Sequence, residues 1–204
     1  MSKQRSAPGE LELVRRFVNT RYVRRGTDLL SDTASLAEWF AHDGLAPAGL
    51  RVTRADLARA VDLREALRAI LAAHTAARDA PAHDAGPGAP AHDAGPGAPA
   101  HASRTLDEAA RRARLRLRFD DDGKASIAPE AAGVSGALGR LLAIVHDSIV
   151  QGTWSRLKVC REHDCEWAFY DHTKNHSGTW CSMEGCGNRA KARAFRERQA
   201  ARGG

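Results

Sequence analysis

Between Glu10 and Ala77, apolar residues return at helical intervals. Leu11, Val14, Phe17 and Val18 form one face, and Leu36, Trp39 and Phe40 a second. Leu57, Val61, Leu67, Ile70 and Leu71 form a third, so the pattern predicts three helices. Ser35 with Glu38 three residues on reads as a capping box opening the second helix, which Gly44 and Pro47 close. Thr53 with Asp56 opens the third, which runs to about Ala77. Further on, Thr105 with Glu108 predicts a short helix to about Arg114. Leu115, Leu117 and Phe119 then alternate with Arg116 and Arg118, an Asp121-Asp122-Gly123 turn follows, and Ala125 to Ile127 return: a β-hairpin. Leu138, Leu141, Leu142, Val145 and Ile149 predict an amphipathic helix from about Val134 to Gln151, which Gly152 ends.

One stretch breaks the pattern. Over 78–102 the nonapeptide APAHDAGPG occurs twice in tandem, at 80–88 and 89–97, and APAH begins a third copy at 98. Copies so rich in Ala, Pro and Gly bury no core, so this is read as a flexible insert. The apolar faces on either side both need a partner, so the insert interrupts one domain rather than separating two. His83, His92 and His101 recur with the repeat, and expansion that carried a histidine along is preferred over a weak metal site.

The predicted fold class is α+β, mostly α. A helical N-terminal domain with a small β-hairpin spans 8–152, and a small C-terminal finger spans 156–202. The finger is expected to hold two cysteine knuckles, a hairpin whose turn includes Asn175, Ser177 and Gly178, and a terminal helix. Aromatics are 5% of the 204 residues, so the main core rests on aliphatic side chains. No apolar run approaches the roughly 20 residues of a membrane helix. The N-terminus has no secretory pattern. A cytoplasmic chain with no membrane partner is the expectation.

All four cysteines, Cys160, Cys165, Cys181 and Cys186, lie in the last quarter of the chain with C-x4-C-x15-C-x4-C spacing. Two close pairs separated by a hairpin's length of chain suit a tetrahedral zinc ion. Four thiolates leave no open position for water, so the ion is structural and not catalytic. Two disulfides are disfavoured in a chain without an export signal. An iron–sulfur cluster would use the same ligands but is ordinarily held by other spacings. His163, His172 and His176 are near enough to substitute for a cysteine, and with four thiols present they read as surface or outer residues. Trp167, Phe169 and Trp180 are the candidate core of this small module.

Net charge is +6, and its distribution matters more than its size. From Gly187 to Gly204 there are six basic residues and one acid. On a helix, Arg189, Arg193 and Arg196 fall on one stripe, while Lys191, Arg198 and Arg202 fall on roughly the opposite side. The first stripe is the candidate phosphate-facing surface, with Phe195 docking the helix onto the finger. Arg189 is ambiguous, since beside a thiolate site it would equally serve the finger itself. Lys174 is a further candidate contact. For an enzyme there is little: no phosphate loop, no serine elbow and no HExxH appears. The His42-Asp43 and His146-Asp147 neighbours do not face each other on a helix.

Cys186-Gly187-Asn188-Arg189, preceded by Trp180-Cys181-Ser182 and followed by AKARAFRER, resembles the CGNR zinc-finger family. The resemblance implies a bacterial, DNA-binding finger with one structural Zn2+ and double-stranded DNA as partner. Phe17–Thr20, Asp28-Leu29-Leu30, Leu36, Trp39 and the helix after Arg51 resemble the ABATE-type stress-induced transcription regulator domain that precedes such fingers. That implies a sensor for an unknown small molecule. Asn19, Thr20 and Trp39 suit a polar-edged pocket for it, and capping, turn or core roles suit them equally. The expected function is a DNA-binding transcription regulator, with homo-oligomers allowed. The alternative is a zinc-stabilised RNA- or protein-binding adaptor.

Overall fold

The computed structural model describes residues 6–76 and 99–202. Most of the nonapeptide insert, including His83 and His92, lies outside the described residues. The chain is α+β and mostly helical. The N-terminal part comprises α1 (Leu11–Val18), strands β1 (Arg21–Tyr22) and β2 (Thr27–Asp28), α2 (Thr33–His42) and α3 (Arg54–Ala76). After the insert come α4 (Ala100–Ala113), β3 (Leu115–Phe119), β4 (Ala125–Pro129) and α5 (Gly133–Val150). The finger follows with β5 (Leu157–Val159), β6 (Ala168–Tyr170) and α6 (Asn188–Arg202). Each strand pair is an antiparallel two-stranded hairpin.

The predicted apolar faces carry the core. Phe17, Leu36, Phe40, Leu63, Leu67, Leu71 and Leu141 are fully buried together. The Gly133–Val150 helix is long and apolar enough to cross a membrane by length and composition, and 61% of it is instead buried inside the fold.

Caps explain where helices start, with one correction. Thr53 and Asp56 form the expected reciprocal cap: Thr53 N–H donates to Asp56 Oδ2 at 2.9 Å, and Asp56 N–H to Thr53 Oγ1 at 3.1 Å. The cap of α2 is Asp32 and not Ser35. Its carboxylate accepts from Ser35 N–H at 2.8 Å and from the Ser35 hydroxyl at 2.9 Å, which sets Ser35 inside the first turn. Helix α4 also starts earlier than Thr105, at Ala100 within the third repeat copy, because Ala102 packs into the core.

The predicted hairpin is present, its second strand running on from the expected Ile127 to Pro129, with Leu117 opposite Ile127. Its outer half is uncovered, with Leu117 and Phe119 exposed. The β1–β2 hairpin is not legible in the sequence pattern, since its strands are two residues each.

The finger is not an autonomous module. Leu157, Val159, Ala168 and Tyr170 belong to the same hydrophobic core as the N-terminal helices. Thr75 Oγ1 donates to Val159 O at 2.7 Å, and His74 Nδ1 lies 2.9 Å from Leu157 O. Strands β5 and β6 flank the first cysteine pair, so the hairpin does not turn at Asn175–Gly178 as expected. Those residues instead form a loop on the way to the second pair.

Candidate metal centre

The first knuckle is the loop of the β5–β6 hairpin. Cys160 N–H donates to Trp167 O at 2.9 Å and closes it, while Cys165 and Glu166 both donate to Glu162 O, at 2.8 and 3.2 Å. Glu166 takes a left-handed conformation, φ 46°, which turns the chain back toward β6. The second pair arrives along Thr179, whose carbonyl accepts from Arg161 N–H at 3.0 Å. Ser182 caps a wide helical turn, Met183–Gly187, by accepting from Gly185 N–H at 3.0 Å. A Cβ at Gly187 would lie 2.7 Å from Met183 Sδ, so a side chain there would push the Met183 thioether aside.

The base of the site is held by a buried ion pair. Lys158 Nζ donates to Asp171 Oδ2 at 2.9 Å, with both side chains almost wholly buried. Asp171 also accepts from Thr173 N–H at 3.0 Å, Thr173 Oγ1 at 2.7 Å and Gly178 N–H at 2.7 Å. Burial opposes its ionisation, but these hydrogen bonds, led by that of Lys158, outweigh burial and hold the carboxyl well below the usual range.

Cys160, Cys165, Cys181 and Cys186 converge with all four sulfurs within 4.8 Å of one another. Cys165 and Cys181 are 3.7 Å apart, Cys181 and Cys186 3.6 Å. A tetrahedron with Zn–S of about 2.3 Å has edges of about 3.8 Å, so the sulfurs fit a zinc ion and are too far apart for disulfides. Thiolates packed this closely repel one another. Only a cation among them makes four thiolates compatible. The group is therefore a structural Zn2+ held by four thiolates, with no open position for chemistry.

The cations around the site differ from the expected stripe. Arg189 Nη2 donates to Cys186 Sγ at 3.0 Å. Arg193 Nη1 pairs with Glu162 Oε1 at 2.9 Å, and that carboxylate is buried in the knuckle. Both arginines thus face the finger, where they tie α6 to it. Phe195 does not dock the helix: it is 56% exposed. Lys191, Arg196 and Arg198 are exposed and make no ion pair among the described residues, and Lys174 is exposed in its loop. A third arginine, which the sequence pattern did not mark, reaches the site from the N-terminal part: Arg24 Nη2 lies 3.7 Å from Cys186 Sγ.

The three candidate pocket residues sit at the junction of the two parts. Asn19 is buried, and its amide pairs with the backbone of Ala168 in β6: Nδ2 donates to Ala168 O at 2.9 Å, and Ala168 N–H donates to Oδ1 at 2.7 Å. Thr20 is buried, donating to Phe17 O at 2.7 Å and accepting from Arg64 Nη1 at 3.1 Å. Trp39 packs its ring 5.3 Å from Phe17. Trp39 and Asn19 line an open cleft of about 810 Å³ with Arg15, Arg16 and Trp167, the last contributed by the finger. Thr20 is not in that lining.

Sequence pattern gave no warning of three buried arginines. Arg64 is bidentate to Asp28 at 2.6 and 2.8 Å. Arg68 donates to Val18 O at 2.6 Å and to Glu166 O at 2.7 Å. Arg15 Nη1 donates to Ala168 O at 3.3 Å. The available signal was spacing, because Arg64 and Arg68 share the inward stripe of α3 with Leu63, Leu67 and Leu71.

Fold and site together define a zinc-finger protein whose finger is built into a larger helical core. Two family models match it: the CGNR zinc finger over residues 156–199, and the ABATE model, described as "Putative stress-induced transcription regulator", over residues 11–150. The second covers well over half of the chain, and the protein belongs to that family. No curated protein matches it.

Proposed function

We propose that this protein is a DNA-binding transcription regulator. Helix α6 leaves the zinc centre with Arg189 and Arg193 turned inward to fix it, and lays its outward cations on the phosphates of duplex DNA. The observation that carries this reading is the division of charge along α6: two arginines are consumed by Cys186 and Glu162, while Lys191, Arg196 and Arg198 stay exposed and without ion pairs among the described residues. Charges of this kind bind phosphate and position a helix, and few of them read bases. The family's description as a transcription regulator supports the same reading. The N-terminal part is the sensor, with the cleft beside Trp39 and Trp167 as its ligand site. The protein acts in the cytoplasm as a binding protein and not as an enzyme.

The test is selection by the zinc-loaded full chain from a pool of random duplexes, with single-stranded RNA of the same length as competitor. The reading expects one duplex motif to be enriched and bound at least about 10³-fold more tightly than random duplex. Binding that prefers RNA, or no enrichment at all, overturns it.

A further inference from the structure

The metal centre is surrounded by more positive charge than its own module supplies. Four thiolates on Zn2+ leave two net negative charges in a buried site. Such a centre needs cationic hydrogen-bond donors, because unpaired charge is costly to bury. Arg189 supplies one, at 3.0 Å from Cys186 Sγ. Among the described residues, the second guanidinium on that sulfur is Arg24, at 3.7 Å and 162 residues away in sequence.

The position of Arg24 is built rather than incidental. It occupies the three-residue turn Val23–Arg25 between β1 and β2, which closes at Gly26 with φ 63°. Tyr22 packs against Trp167 of the first knuckle, with ring centroids 5.0 Å apart and the rings tilted by 60°. The Arg25 guanidinium lies over Tyr22 at 5.1 Å. At the hairpin's base the buried Arg64 grips Asp28, and Arg21 pairs with Glu65 at 3.6 Å.

We infer that Arg24 is a positioning residue of the zinc centre, and that through it zinc affinity and docking of the β1–β2 hairpin form one coupled equilibrium. Arg24 acts through Cys186 and holds no metal itself. Zinc draws the hairpin onto the finger, and the docked hairpin strengthens zinc binding by the same factor, since coupling between two binding equilibria is reciprocal. Outer partners of metal ligands are worth about 10–100-fold in metal affinity. The length of the Arg24 contact and its exposed side chain put it at about tenfold. The same hairpin leads into Asp28 and Leu29, which line the cleft shared with Trp167. A change in that cleft would therefore be felt at the metal. The inference stands on the zinc centre alone and does not require DNA binding.

The experiment is equilibrium zinc transfer from the full chain to a chromophoric chelator, for the wild type, Arg24→Gln, Arg24→Lys and Arg25→Gln. Helical circular dichroism confirms that each variant is folded. Arg24→Gln should release zinc about tenfold more readily, Arg24→Lys should recover part of the loss, and Arg25→Gln should stay within about twofold of wild type. Amide hydrogen exchange across 21–29 gives the reciprocal reading. Zinc removal should speed it in the wild type and do so much less in Arg24→Gln. Wild-type zinc affinity in Arg24→Gln, or hairpin exchange that is indifferent to zinc, overturns the inference.

Discussion

Asparagine at position 171 removes one charge from a pair that water does not reach. In the wild type Lys158 Nζ sits 2.9 Å from Asp171, with side-chain exposures of 4% and 0%. The carboxylate also accepts from Thr173 and Gly178 at 2.7–3.0 Å. Asp171→Asn leaves the ammonium buried without its counter-charge, for which breaking a buried pair costs about 3–5 kcal/mol. In a chain of this size each kcal/mol moves the midpoint by roughly 2–4 °C, so Tm should fall by about 6–20 °C at pH 7. The pH dependence follows from the depressed acidity of Asp171. A carboxyl held low in the folded state contributes stability above its unfolded value of about 3.9, and loses it as pH falls through the lower folded value. The gap between wild type and variant should therefore narrow below about pH 4. Thermal melts by circular dichroism from pH 7 to pH 2.5 read both effects. The paired apolar replacement Lys158→Met with Asp171→Leu should recover much of the loss, since no charge is then stranded. A Tm change under about 2 °C at pH 7, or a gap that widens in acid, would refute the reasoning.

Other expectations follow from the way the finger joins the core. Cys181→Ser should abolish zinc binding by elemental analysis. Increased hydrogen exchange should be confined to the β1–β2 hairpin at 21–29, the first knuckle at 160–167 and about residues 171–202, because Leu157, Val159, Ala168 and Tyr170 are held by the main core. Asn19→Ala leaves both backbone groups of Ala168 without the Asn19 amide and should cost about 1–3 kcal/mol in urea unfolding. Glu162→Gln weakens the tether of α6 through Arg193, and should raise proteolysis of the terminal helix while zinc is retained.

What the sequence conveyed, and what it did not, divides along physical lines. The helices with apolar stripes, the 115–129 hairpin and the cysteine spacing were legible because each rests on a local period or a short ligand interval. The β1–β2 hairpin was not, since Arg21-Tyr22 and Thr27-Asp28 are too short to show alternation. Arg15, Arg64 and Arg68 gave no sequence signal because charge is normally exposed, yet Arg15 and Arg68 donate to backbone carbonyls of the finger and Arg64 grips Asp28. The helical wheel of α6 grouped Arg189, Arg193 and Arg196 correctly but could not say which way the stripe faces. Cys186 and the buried Glu162 turn the first two toward the finger. Asn19 followed by Thr20 looked like a pocket edge, and a polar residue after a helix end gives no hint that its partner lies 149 residues on.

The DNA reading is tested most directly by the salt dependence of duplex affinity for the zinc-loaded full chain and for the double variant Lys191→Ala with Arg198→Ala. With Lys191 and Arg198 as the phosphate contacts of the outward face, the slope of log affinity against log salt should be about −1.8, at 0.9 per contact. The double variant should bring the slope close to zero and weaken binding, with its zinc content unchanged. No measurable duplex binding at low salt, or a slope that the double variant leaves unaltered, would contradict it.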